Sequence, residues 1–111
     1  MMASSNKIKN LVVIVDYNKW QATGRSKEIL SLEPLADKWK AFGWSVYQIN
    51  GHSFTEMDKI FRKINKKNIG PSIIIAHTIK GKGVSFMEDN NNWHYRTPNK
   101  EELDMALSEL L

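Results

Sequence analysis

The sequence predicts an α/β fold: a parallel sheet of about three strands flanked by helices. Two observations carry that reading. Short apolar runs at residues 11–15, 44–49 and 72–76 are bounded by turn residues and have the length of strands. The stretches between them place apolar residues at helical spacing. Strands that alternate with helices are joined by crossovers, which make neighbouring strands parallel and the connections right-handed.

Each element follows from local chemistry. Residues 1–10 are expected to be a tail or partial helix leading into the first strand. Residues 11–15 form an unbroken apolar run, the pattern of a strand buried on both faces, and end abruptly at Asp16-Tyr17-Asn18-Lys19. A polar loop over residues 21–28 leads to Ser31, the expected cap of a helix in which Leu35, Ala36, Trp39 and Phe42 fall at helical spacing and which stops at Gly43. The second strand, 44–49, closes at Asn50-Gly51. Ser53-Phe54-Thr55-Glu56 has the form of a capping box, and Met57, Ile60, Phe61 and Ile64 make the apolar stripe of the helix behind it. Ile69-Gly70-Pro71 breaks that helix before the third strand, 72–76. A long loop spans residues 80–96. Thr97-Pro98 is expected to open the last helix, in which Leu103, Ala106, Leu107 and Leu110 share a face. There is no internal repeat, and the only biased tract is the asparagine run 90–92.

Bulk properties narrow the class. With 111 residues, 41% of them hydrophobic, the chain is one domain with a modest core. It contains no cysteine, so disulfides, thiolate metal sites and a catalytic thiol are excluded. No apolar stretch reaches membrane-spanning length and the first residues lack a signal-peptide core, so the expected location is the cytoplasm, with no membrane partner. The net charge of +4 is spread through segments that also carry Glu and Asp, which gives little reason to expect a nucleic-acid surface.

Parallel strands place their carboxyl ends on one rim, where open α/β sheets bind ligands. The segments 16–20, 50–53 and 77–83 are therefore the candidate site. Asn18 offers a hard oxygen that suits Mg²⁺ held against a phosphate, although an Asn in that place is commonly a turn residue alone. Lys80-Gly81-Lys82-Gly83 has the composition of an anion-binding loop, with Lys82 expected toward solvent; the same four residues also make an ordinary solvated turn. His94 lies in the long loop, where a histidine is more often a surface residue than a reactive one. His77 is expected to be packed or hydrogen-bonded at the end of its strand, and His52 carries no diagnostic pattern.

Three segments, DYNKWQATGR, SLEPLADKWKAFGW and HTIKGKGVSFME, resemble the thiamine diphosphate domain of transketolase, in particular the amino-terminal subunit of two-chain transketolases. The resemblance runs over residues 10–111 and implies the carboxyl-terminal half of that domain for 11–111, a partial thiamine diphosphate-binding fold. By the resemblance, the Asn18 side chain and the Trp20 carbonyl are metal ligands for Mg²⁺ or Ca²⁺. Lys80 contacts the cofactor, and His94 meets both the cofactor diphosphate and the incoming sugar. Trp20 stands where the family more often has Leu or Ile, and Tyr95-Arg96 replaces the more usual Gly-Lys after Trp93-His94.

The family's Gly-Asp-Gly motif, which brings the carboxylate ligand of the metal, occurs nowhere in the chain. The resemblance thus implies a component of a split transketolase-like enzyme that transfers a two-carbon ketol unit between sugar phosphates. It would be inactive alone and completed by a partner chain with Gly-Asp-Gly and by a pyrimidine-binding chain or domain. The isolated chain should then expose apolar surface. Two other readings stand beside it: a non-catalytic scaffold subunit derived from the same domain, and a basic α/β module that binds nucleotides or nucleic acid.

Overall fold

The alternating apolar runs and amphipathic stretches fold into the parallel sheet they predict. The computed structural model describes residues 1–67 and 69–111, with residue 67 described through its backbone alone. Along the chain the elements are α1 (Met2–Ser5), β1 (Val12–Tyr17), β2 (Trp20–Gln21), β3 (Gly24–Arg25), α2 (Ser26–Ile29), α3 (Leu35–Ala41), β4 (Ser45–Asn50), α4 (Phe54–Lys67), β5 (Ser72–His77), a 3₁₀ turn (Asn91–His94) and α5 (Lys100–Leu110). They form two compact units, residues 1–17 with 32–78 and residues 18–31 with 79–111.

The first unit holds the three-stranded sheet, ordered β1-β5-β4 and parallel throughout. Its register aligns Tyr17 and Asn50 with His77, so the three carboxyl ends share one edge. Strand β5 pairs on both sides, and Ile73, Ile74 and Ile75 are at most 1% exposed. Burying an isoleucine side chain contributes roughly 1.5–3 kcal/mol, which makes this run the main anchor of the unit.

The expectation that residues 11–15 form a strand buried on both faces is corrected. Among the described residues strand β1 pairs on one side alone, and Ile14 is 53% exposed. An apolar run reports the tendency to be buried, whereas the neighbours that bury it come from elsewhere in the fold.

The step from β1 to β4 and the return step from β4 to β5 run in opposite directions across the sheet. Right-handed crossovers therefore put α3 and α4 on opposite faces. Ile64 of α4 joins Ile49, Ile74 and Ala76 in the buried core, and Met57, Ile60 and Phe61 pack against that core, as do Val12 and Tyr47; the helical stripe predicts this.

Helix boundaries depart from expectation at their caps. Helix α3 is capped at Pro34, not Ser31, and the Glu33 carboxylate accepts the Leu35 N–H at 2.9 Å. Its end follows the expected glycine stop. Gly43 adopts φ 79°, its N–H donates to Lys40 and that of Trp44 to Trp39, and the two tryptophan rings meet at 4.9 Å. This is a Schellman close with its apolar contact.

At the start of α4 the Ser53 hydroxyl accepts the Glu56 N–H at 3.2 Å, as expected. The Glu56 carboxylate, however, takes the Asn50 N–H at 2.9 Å, because the Ser53 N–H already donates to the Asn50 carbonyl. The last helix opens at Asn99, not at Thr97-Pro98. Asn99 and Glu102 exchange two 2.9 Å hydrogen bonds in a complete capping box.

The second unit carries the β2–β3 hairpin, the loop 79–90, the 3₁₀ turn and α5. Ser85 joins loop to helix: its N–H and hydroxyl both donate to the Glu109 carboxylate, at 2.5 and 2.7 Å. Those two bonds, the backbone one first, hold the Glu109 carboxyl below its ordinary range. On α5 only Ala106 is buried, and Leu103, Leu107 and Leu110 of the expected face are exposed, as are Ile29 and Leu30. Among the described residues no helix is long and apolar enough to cross a membrane.

Candidate functional site

All four residues singled out from sequence, Asn18, Trp20, Lys80 and His94, fall in the second unit. The Asn18 side-chain oxygen accepts the Trp20 N–H at 2.9 Å, the two-residue reach by which an Asn side chain imitates a backbone turn. Lys19 between them takes φ 68°, and its carbonyl accepts the Ser26 N–H at 2.9 Å. The turn leads into the hairpin, where Trp20 pairs with Arg25 and Gln21 with Gly24. Amide oxygens carry two lone pairs, so one on Asn18 remains for a ligand.

Lys80 opens a loop that folds back on itself. Its carbonyl accepts the Asp89 N–H at 2.9 Å. Gly81 sits at φ 71°, and a β-carbon there would lie 2.4 Å from the Met87 carbonyl oxygen, so only glycine fits. The Lys80 ammonium has no hydrogen-bond or ion-pair partner among the described residues.

The other half of the expected anion loop is already occupied. One Glu88 oxygen accepts the Gly83 N–H at 3.1 Å and pairs with the Lys82 ammonium at 3.0 Å. Lys82 is exposed, as expected, and also ion-paired to Glu88.

His94 ends the 3₁₀ turn, is exposed, and meets the Tyr95 ring edge-on at 4.6 Å. Asn90 caps the turn by accepting the Asn92 N–H at 3.1 Å. Arg96 lies 4.6 Å over the Trp93 ring and pairs with Glu102. The Tyr95-Arg96 dipeptide is therefore built into the turn and the start of α5. His77, in the first unit, is hydrogen-bonded to Gln48 at 2.9 Å and edge-on to Tyr17 at 5.5 Å, as expected of a strand-end histidine.

Two residues that sequence reasoning passed over hold these pieces together. The Asp89 carboxylate accepts both ends of the Arg25 guanidinium, at 2.7 and 2.6 Å, and the Trp20 indole N–H at 2.8 Å. Those bonds, Arg25 first and Trp20 second, hold the Asp89 carboxyl down to about 2. The Arg25 guanidinium also lies 3.7 Å over the Trp20 ring.

Asn91 is the second organiser. Its amide donates to the carbonyls of Gln21 and Ala22, at 3.2 and 3.0 Å, and its own oxygen is buried without a partner among the described residues. Trp20 and Lys80 are thus joined through Asp89, and the turn bearing His94 is tied to the hairpin through Asn91. One sequence signal was available: a tryptophan at a turn has an N–H that requires an acceptor.

The donor set can be tested against a divalent cation. Asn18 and the Trp20 carbonyl are neutral oxygens, and Asp89 is committed to Arg25 and Trp20. Among the described residues no three His, Cys, Asp or Glu side chains stand together as metal ligands. Mg²⁺ takes one or two carboxylates with substrate phosphates. Among the described residues, the neutral oxygens of Asn18 and Trp20 suit part of such a donor set, and a cluster of charged ligands to complete it is absent.

The family described as transketolase, thiamine diphosphate binding domain, matches residues 1–110. The chain belongs to this family. Among transketolase relatives, an apulose-4-phosphate transketolase subunit of Phocaeicola vulgatus is 41% identical over 110 residues, covering 99% of this chain and 39% of that protein. The 6-deoxy-6-sulfo-D-fructose transketolase subunit SqwG of a Clostridium species is 40% identical over 110 residues, covering 99% and 40%. This chain therefore spans about 40% of the length of these curated relatives.

The crystal structure of transketolase from Campylobacter jejuni superposes with a TM-score of 0.90 at 27% identity, over 98% of this chain and 17% of that one. A transketolase from Pichia stipitis, in complex with sedoheptulose 7-phosphate, superposes at 0.88 over 98% of this chain and 16% of that one. At 15% identity it shows the shared fold alone.

Proposed function

We propose that this chain supplies part of the site for thiamine diphosphate and its divalent cation, Mg²⁺ or Ca²⁺, in a multi-chain enzyme of the transketolase type. That enzyme transfers a two-carbon ketol unit between sugar phosphates. The observation that carries the reading is the joining of Asn18-Trp20, Lys80 and the His94 turn in one unit through Asp89 and Asn91. Family membership and relatives named as transketolase subunits support it.

In this reading the Asn18 side chain and the Trp20 carbonyl hold the cation, and the Lys80 ammonium stands as a compact charge beside the diphosphate. His94 donates to the diphosphate and to the sugar. Bound thiamine diphosphate would supply the carbanion-stabilising chemistry, while the protein binds and orients. The missing carboxylate comes from a partner chain with Gly-Asp-Gly, and the pyrimidine half of the site from that or another chain. The chain alone is inactive. We assign residues 11–111 to the carboxyl-terminal half of the cofactor domain and 1–10 to the segment leading into it. The proposed compartment is the cytoplasm, where an enzyme of this type would meet sugar phosphates.

A non-catalytic scaffold is the second reading, favoured by one observation: among the described residues no cluster of three metal-ligating side chains occurs. The test is to copurify the chain with its partners, titrate the complex with thiamine diphosphate and Mg²⁺ by calorimetry, and assay ketol transfer from a ketose phosphate. Saturable binding with turnover supports the enzyme reading. A complex that binds no cofactor overturns it.

A further inference from the structure

Trp20 and Arg25 stand directly opposite each other across the β2–β3 hairpin, so their side chains leave it on the same face. There the guanidinium stacks 3.7 Å above the indole and forks onto Asp89. Asp89 closes the set by also accepting the indole N–H at 2.8 Å. It does so from a left-handed backbone, φ 53°, a conformation that Asp tolerates better than most residues. Asp89 and Arg25 are 64 positions apart in sequence, so this set ties the hairpin to the loop behind Lys80.

We infer that Arg25 and Asp89 are positioning residues for the cofactor site. Their fork clamps the Trp20 side chain and so sets the Trp20 carbonyl and the Asn18 turn, while the Asp89 N–H sets the main chain at Lys80. The inference rests on the proposed roles of Asn18, Trp20 and Lys80. Neither positioning residue is a reacting group. The Asp89 carboxylate takes three N–H donors and is spent as a base, and the Arg25 fork is occupied. The arrangement needs arginine: a lysine ammonium keeps the charge but neither forks in a plane nor stacks flat on an indole.

The test has two readouts. In ¹⁵N-labelled chain, Trp20→Phe identifies the Trp20 indole resonance. That resonance is expected to shift strongly in Asp89→Asn, which replaces the charged acceptor of the indole N–H with a neutral one. In the copurified complex, calorimetry with thiamine diphosphate and Mg²⁺ is expected to show Kd raised about tenfold or more in Asp89→Asn and in Arg25→Lys. At saturating cofactor, kcat should stay within about twofold of the parent.

A purely structural ion pair would be rescued by Arg25→Lys, so parental affinity in that variant overturns the inference. So does an Asp89→Asn complex with parental Kd, or an indole resonance indifferent to Asp89. If the parent complex binds no thiamine diphosphate, the proposed function falls and the inference with it. If the parent binds and the variants bind equally, the inference alone fails.

Discussion

Gly51 lies against Thr78 so closely that a β-carbon on it would sit 2.4 Å from the threonine methyl. The Ala76 β-carbon at 3.1 Å and the His77 carbonyl at 3.3 Å close the remaining space. Thr78 has little freedom to yield, since its hydroxyl donates to Asp16. The Gly51 N–H donates to the His77 carbonyl at 2.8 Å, so the end of β4 is drawn onto the end of β5.

Gly51→Ala should therefore destabilise the chain by about 1–3 kcal/mol, the range for forcing a methyl into a packed site. Urea denaturation followed by circular dichroism measures it. An unchanged midpoint would show that β4 and β5 can separate at their carboxyl ends without loss.

Acid should weaken the fold through its fixed carboxylates. Asp89 is held at about 2 against an ordinary 3.8, chiefly by Arg25. Glu33 is held low chiefly by the Tyr17 hydroxyl, and Glu109 by the Ser85 backbone N–H. A depressed carboxyl binds protons more readily in the unfolded chain. Its contribution is complete above the ordinary carboxylate range and is lost as pH falls through the folded value. Stability should thus fall steadily below about pH 4, and Glu109→Gln should flatten that decline. Thermal melts of parent and variant across the acid range compare the two slopes.

Tyr17 and Glu33 should show the opposite sign at high pH. The 2.6 Å bond to Glu33 raises the Tyr17 hydroxyl above its ordinary value. Stability from the neutral phenol is full below pH 10 and is lost as pH rises through the folded value. Tyr17→Phe should cost about 1 kcal/mol at neutral pH, the net worth of an ordinary hydrogen bond. It should also remove the alkaline decline, which ultraviolet titration of the phenol follows directly.

Substitutions at the proposed ligands should separate an enzyme part from a scaffold. In the assembled complex, Asn18→Ala and Lys80→Ala should weaken cofactor binding and His94→Ala should chiefly reduce turnover. Each effect should be on the order of 10- to 100-fold, from roughly 1.5–3 kcal/mol per charge-assisted bond. Asn18→Ala should also loosen the hairpin, because the Trp20 N–H loses its acceptor. Parental binding and rate in all three would leave the scaffold reading standing.

Ile14 should mark the edge at which the isolated chain associates. It is 53% exposed on a strand paired on one side only, a template for another strand. Ile14→Lys should lower self-association in sedimentation velocity and leave the thermal midpoint near the parent's. Equal association in both proteins would place the sticky surface elsewhere, with the exposed leucines of α5 the next to test.

How much was legible from sequence differs by the range of the interaction. The strand cores, the α4 stripe and the glycine stop of α3 were readable because period, turn chemistry and backbone conformation act within a few residues. The Asn99–Glu102 box was equally local and could have been read; Thr97-Pro98 drew the boundary away from it. Asn18 and Lys80 stood out by residue type at a strand's end, Trp20 and the role of His94 came by resemblance, and one unit does contain all four.

By itself, then, the sequence determined the alternating fold, the parallel sense of the sheet and the turn chemistry at Asn18 and Gly81. Tertiary structure alone decided that Asp89 takes Arg25 and Trp20, that Glu88 fills the second half of the glycine loop, and that β1 is an edge. The reason is physical: an unpaired charge or an apolar run states what it requires, while the partner that meets the requirement is chosen by the loops and strands that folding brings beside it.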